Sequence, residues 1–199
     1  MSGQNEAVFQ KLRGALGAPA PVRKLLITMR AQSVTRMDLA VVRILLAERK
    51  ERGIYVSVDR PDKQVLSILE KHNLAGPGEA ATDLEPVNKK LFIAKGIFSP
   101  AVFIAELLSR TENPRSGPAL DRELREMRFI MVDNLSTLSA YNGPKGIDTC
   151  FGHMAMLLMR YPSMRFIAVA GRESFGALGS PARSFFNAEV DIPDAWLME

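Results

Sequence analysis

Cysteine and histidine are nearly absent: the 199 residues include one cysteine, Cys150, and two histidines, His72 and His153. One cysteine excludes an intrachain disulfide, and three scattered ligands give no zinc spacing. His153 has no serine or aspartate at a recognisable triad spacing, so no hydrolase signature is present. Three tyrosines and one tryptophan form no stacking cluster with basic residues, so the usual mark of a single-strand nucleic-acid binder is missing. Neither sign of charge dominates. Lys and Arg total 26 against 22 Asp and Glu, a net charge of +4, which permits an acidic partner without demanding one. No apolar run approaches the ~20 residues of a membrane span. The first ten residues have neither a basic nor an apolar leader region, which predicts no secretory signal and a cytoplasmic protein.

What is present suits a globular α/β domain. Hydrophobic residues make up 47% and charged ones 24%, enough apolar mass for one core in a chain of this length. The apolar periods alternate between short buried runs and helical stripes. Runs at 24–29, 54–59, 90–94, 128–133 and 165–170 read as strands, with an edge strand at 187–192. Helices are expected at 5–16, 35–52, 61–73, 99–110 and 147–161. Gly53 is placed to cap the second helix, and Pro61 sits at a first turn. Residues 75–88 and 111–118 read as loops. This order predicts βαβ units and a mostly parallel sheet in three αβα layers. A single domain over 1–199 is expected, with an N-terminal helix and linker at 1–22, a core at 23–192 and a tail at 193–199.

In an open parallel sheet the ligand edge lies beyond the carboxyl ends of the strands, so the residues just after each strand are informative. Gly53-Ile54-Tyr55-Val56-Ser57-Val58-Asp59 resembles the second strand of RecA/KaiC-like P-loop ATPases. Phe129-Ile130-Met131-Val132-Asp133-Asn134-Leu135-Ser136-Thr137-Leu138 resembles their Walker B strand and its continuation, and 166–171 resembles the following sensor strand. The resemblance runs over 24–192. It implies a RecA-like sheet ordered third, second, fourth, fifth, first, with 187–192 beyond the first strand. It also implies that Asp133 stands where the family's aspartate supports magnesium, and Asp59 where an acidic residue orients the attacking water.

The family's phosphate loop, G-x-x-x-x-G-K-[ST], has no counterpart after the first strand. Its glycines let backbone amides curl around phosphate, and its lysine and hydroxyl complete the Mg-ATP site. Here the stretch is Met29-Arg30-Ala31-Gln32-Ser33-Val34-Thr35-Arg36-Met37-Asp38, without glycine or lysine. Arg36 offers a cation whose planar fork differs from an ammonium, and Asp38 adds negative charge nearby. Removing cradle and lysine together leaves little for phosphoryl transfer, which rests on positioning and electrostatics.

Two readings stand at each remnant. Asp133 supports a metal or caps the next helix; Asp59-Arg60 is a catalytic remnant or a surface ion pair or cap. Arg30, Arg36, Arg60 and Arg172, with Ser33 and Thr35, are expected along one sheet edge as an anion site or as a solvated basic rim. Helix 147–161, with Cys150, Phe151, Met154, Met156, Leu157, Leu158 and Met159, is apolar nearly all round, which suits burial on both sides or a contact with a second protein. The expected function is a catalytically inactive regulatory or interaction module that works with a protein partner or a second copy of itself. The alternatives are an unconventional ATP-binding or ATP-hydrolysing protein using Arg36 and Asp133, and a nucleic-acid accessory protein.

Overall fold

Among the described residues seven strands form one sheet and six of them lie parallel; parallel neighbours cannot be joined by a tight hairpin and need a longer crossover, commonly a helix. The computed structural model describes residues 3–17, 23–30, 34–58, 60–72, 74, 84–86, 91–94, 100–173 and 183–193. Helix α1 (Gly3–Gly17) leads into β1 (Lys24–Met29) and α2 (Val34–Arg43), which continues as a π-helical turn, Ile44–Glu48. Then follow β2 (Gly53–Ser57), α3 (Asp62–Lys71), β3 (Leu84–Pro86), β4 (Leu91–Ala94), α4 (Pro100–Thr111), α5 (Gly117–Glu126), β5 (Phe129–Asp133), α6 (Leu135–Arg160), β6 (Arg165–Gly171) and β7 (Ala188–Asp191). The sheet order is β3-β4-β2-β5-β6-β1-β7, as the resemblance implies, with the short β3 added antiparallel to β4.

The period-two alternation of each strand separates two apolar layers. Leu26, Ile54, Val56, Ile130, Val132, Phe166 and Ala168 pack against α4, α5 and α6. Their neighbours Leu25, Ile27, Tyr55, Phe129, Met131, Ile167 and Val169 pack against α1, α2 and α3. Every residue of β5 is buried, so its carboxyl end delivers whatever follows Val132 into a dry environment.

Several local expectations change. The second helix ends before Arg52: the Arg49 amide reaches back five residues to the Ile44 carbonyl in the wider π pattern, the Glu51 amide closes the end by reaching back six to Leu45, and Lys50 takes the left-handed turn at φ 58°. Gly53 is therefore not a helix cap. It opens β2, and a Cβ there would lie 2.5 Å from the Phe129 ring, so the contact with β5 requires glycine. The expected loop at 75–88 contains β3, and Pro86 is tolerated because β3 is an edge strand. The expected loop at 111–118 runs into α5, whose glycine-proline start hides its amphipathic pattern. The helix expected at 147–161 begins earlier, at Leu135, and bends at Gly143 (φ 62°) just before Pro144. One face of α6 is covered, with Ile147, Cys150, Phe151, Met154, Leu157 and Leu158 buried. The opposite face is not, since Met156 is 54% and Met159 77% exposed. Among the described residues no helix is long and apolar enough to cross a membrane.

Candidate functional site

The parallel strands bring Arg30 after β1, Arg60 after β2, Asp133 at the end of β5 and Arg172 after β6 to one end of the sheet. Helix α2 starts at the same end and carries Arg36 and Asp38 in its first turns. Ser33 and Asp59 lie outside the described residues, and for Thr35 only its place in the first turn of α2 is described.

Three of these side chains, Asp38, Arg60 and Asp133, form one buried cluster with Tyr55. Asp133 is fully buried and Asp38 nearly so, with side chains 0% and 4% exposed. The Tyr55 hydroxyl donates to Asp133 Oδ2 at 2.6 Å. Arg60 Nη2 donates to Asp38 Oδ2 at 2.8 Å and also to Asp133 Oδ2. Two carboxylates thus converge on one guanidinium nitrogen, while Asp38 Oδ1 and Asp133 Oδ1 have no hydrogen-bond partner. Asp38 reaches this point because it shares the apolar face of α2 with Val41, Val42 and Leu45, all buried. Tyr55 does so because it alternates with Ile54 and Val56 onto the α2 side of β2. A narrow cleft, open to solvent, lies beside the cluster between α2 and α3, lined by Asp38, Leu39, Val42, Tyr55, Arg60 and Val65.

Burial sets the protonation of the cluster. It raises the Asp38 carboxyl well above the usual aspartate range, and the charge of Asp133 and a hydrogen bond to it add to this, against the opposing pull of Arg60. Burial likewise raises the Tyr55 phenol, with the charges of Asp38 and Asp133 adding to it. For Arg60, burial works against the charge, but Tyr55, Asp133 and Asp38 outweigh it and the guanidinium is held charged. With the proton kept on Asp38, the cluster is one carboxylate, one guanidinium and one neutral acid that can donate to Asp133. That charge balance is what a dry site tolerates.

The remaining sequence candidates are placed differently. Asp133 does not cap α6; the cap is Asn134, whose Oδ1 accepts from the Thr137 amide at 3.0 Å. Arg60 turns inward to Asp38 and Asp133, and the cap position of α3 is held by Pro61 without a side-chain hydrogen bond; its sequence neighbour Asp59 lies outside the described residues. Arg172 donates through Nε to Asp191 Oδ1 at 2.8 Å and through Nη2 to the Ile192 carbonyl at 2.7 Å, which ties the end of β6 to β7. Thr28 donates to the same Asp191 oxygen at 2.9 Å. Arg30 and Arg36 are exposed. Tyr55 and the role of Asp38 escaped the sequence reading. The available signal was an aspartate three, four and seven residues from Val41, Val42 and Leu45, a charged residue on a face that must be buried.

A magnesium nucleotide does not fit these residues as they stand. Mg²⁺ demands a near-octahedral oxygen shell and keeps several waters. Here the Asp133 oxygen that has partners is shared by a phenol and a guanidinium, and a second cation beside Arg60 would meet direct charge repulsion. Cys150 offers no alternative chemistry, since burial pushes its thiol up to about 12, leaving it protonated and inert at neutral pH.

No protein-family model matches the chain, and no curated protein matches it in sequence. Similarity appears at the level of structure. A KaiC-like protein from the hyperthermophilic archaeon Pyrococcus horikoshii superposes with a TM-score of 0.52 at 12% identity, over 86% of this chain and 72% of that one. The ORC1 protein of Aeropyrum pernix, solved in complex with DNA, gives a TM-score of 0.47 at 15% identity. That match covers 96% of this chain but only 44% of ORC1. At 12% identity the likeness to the KaiC-like protein speaks for architecture alone: the chain has an α/β fold with a mostly parallel sheet, similar to the fold of that protein.

Proposed function

We propose that this chain is a KaiC/RecA-like module that does not turn over ATP and acts through contacts with a protein partner. The observation that carries this reading is Arg60 seated against Asp133 and Asp38, at the strand end where the fold would otherwise hold a metal-bound phosphate. The absence of glycine and lysine from residues 29–38 supports it independently, because backbone amides cannot wrap a phosphate there without backbone angles that Val34 and Thr35 avoid. Apolar side chains left in water give such a module something to bind with: Met156 and Met159 on α6 and Val102 on α4 are all more than half exposed, and flexible methionine suits adaptable surfaces.

Isothermal titration with Mg-ATP, run beside a phosphate-release assay, tests the reading. Wild type should show no binding tighter than millimolar and no release above background. Micromolar binding that disappears in both Asp133→Ala and Arg36→Ala would instead establish an unconventional nucleotide site. The contact surface is tested separately by light scattering on the wild type and on Met156→Glu/Met159→Glu. A self-associating wild type should become monomeric in that variant. A wild type that is monomeric at high concentration moves the search to a different partner protein.

A further inference from the structure

We propose that Arg60 is the resident cation of the carboxyl edge, a positive charge built into the chain at the position where Asp38 and Asp133 would together hold a divalent metal ion. This deepens the reading above and concerns the same site, but it makes no reference to nucleotide.

The geometry carries it. Oxygens from two elements distant in sequence, Asp38 on α2 and Asp133 on β5, meet on a single nitrogen of Arg60. Convergence of two carboxylate oxygens on one point is how a small cation is held. Both carboxyl groups are more than nine-tenths buried, and each has one oxygen that no other side chain or backbone donor reaches, so once the Asp38 proton is released the pair offers acceptor capacity beyond what Arg60 and the Tyr55 hydroxyl use. Buried carboxylates in this arrangement need a cation or a proton. Arg60 enters from the turn between β2 and α3, its backbone amide bonded to Ser57 Oγ at 3.2 Å, and its side chain is 13% exposed. It therefore reaches the cluster beside the cleft that Asp38, Tyr55 and Arg60 line.

Manganese(II) alone, without nucleotide, is the probe. It is titrated into wild type, Arg60→Ala and Arg60→Ala/Asp133→Asn by calorimetry, with thermal unfolding followed in parallel. Wild type should bind no Mn²⁺ up to millimolar concentration. Arg60→Ala should bind at least ~10-fold more tightly than wild type and melt at a higher temperature when the ion is added. The double variant should lose both effects. Wild-type Mn²⁺ binding that Asp133→Asn abolishes would overturn the proposal, as would a folded Arg60→Ala that gains no affinity. If Arg60→Ala does not fold unaided, recovery of its circular dichroism with Mn²⁺ or methylguanidinium supports the proposal, and failure with both overturns it. Phosphate release from Mg-ATP above background that survives in Asp133→Ala would end the non-hydrolysing reading while leaving this one intact.

Discussion

Arginine meets carboxylate at both ends of the sheet, with different consequences. At the amino end, Arg165 pairs with Glu51 and also holds the Leu16 carbonyl, while Arg52 pairs with Glu123 at 3.1 Å and with Glu126. At the carboxyl end, Arg60 pairs with Asp38 and Asp133. Arg165 and Arg60 are almost equally exposed, 14% and 13%. Their partners are not: Glu51 is 13% exposed, Asp133 not at all. Water can solvate the spare oxygens of the amino-end pairs, whereas Asp133 relies entirely on its protein neighbours. The same ion pair is thus a rim fastening in one place and an obligatory counter-charge in the other. The accessibility of the carboxylate decides which.

The largest break in that contrast is Arg60→Ala. It strands the buried Asp133 carboxylate without its counter-charge, and urea denaturation in metal-free buffer should show a loss of about 3–5 kcal/mol. A loss within the scatter of surface substitutions would mean the cluster is wetter than its burial indicates. Arg165→Ala removes a half-screened ion pair and a charged hydrogen bond at the opposite end, and about 1–2 kcal/mol should be lost by the same measurement. A penalty equal to that of Arg60→Ala would erase the distinction between the two ends.

Asp38→Asn sharpens the comparison through pH. Asp38 keeps its proton to higher pH in the folded chain than in the unfolded one, so the folded state binds more protons above the ordinary aspartate value. Wild-type stability should therefore fall as pH rises from that value through the raised one, then level off. Asparagine can donate to Asp133 without titrating, so the variant should lose this part of the slope and be no less stable than wild type at pH 8. A wild-type curve that rises over the same window would contradict the assignment of the proton to Asp38. The smallest effect belongs to Arg172→Ala. Its pair with Asp191 is open to water, at 35% and 55% exposure, and the expected change is under about 1 kcal/mol. A larger loss would show that the tie from β6 to β7 stabilises the edge strand.

Much of this architecture was legible because it rests on periods. Continuous apolar runs at 24–29, 128–133 and 165–170 become β1, β5 and β6 nearly residue for residue, since a strand buried on both faces leaves no room for another pattern. Helix α5 was hidden by Gly117 and Pro118 at its start, which locally look like a loop although proline is at home in a helix first turn. The bend at Gly143 concealed the first half of α6 in the same way. At the site, the strand-end positions of Asp133, Arg60 and Arg172 followed from topology, but their pairings did not.

By itself, the sequence determined the layer order, the buried strands, the lack of any glycine-lysine phosphate loop at 29–38 and the strand end at which charged residues gather. These depend on local periodicity and residue type, which the chain carries at every position. Only the tertiary structure decided that Arg60 turns inward to Asp133 and Asp38 while Arg172 turns to Asp191, and that the helix cap falls to Asn134. Such choices depend on which side chains approach within hydrogen-bond distance across α2, β2 and β5, and on how much water remains there. Neither property belongs to any one segment of the chain.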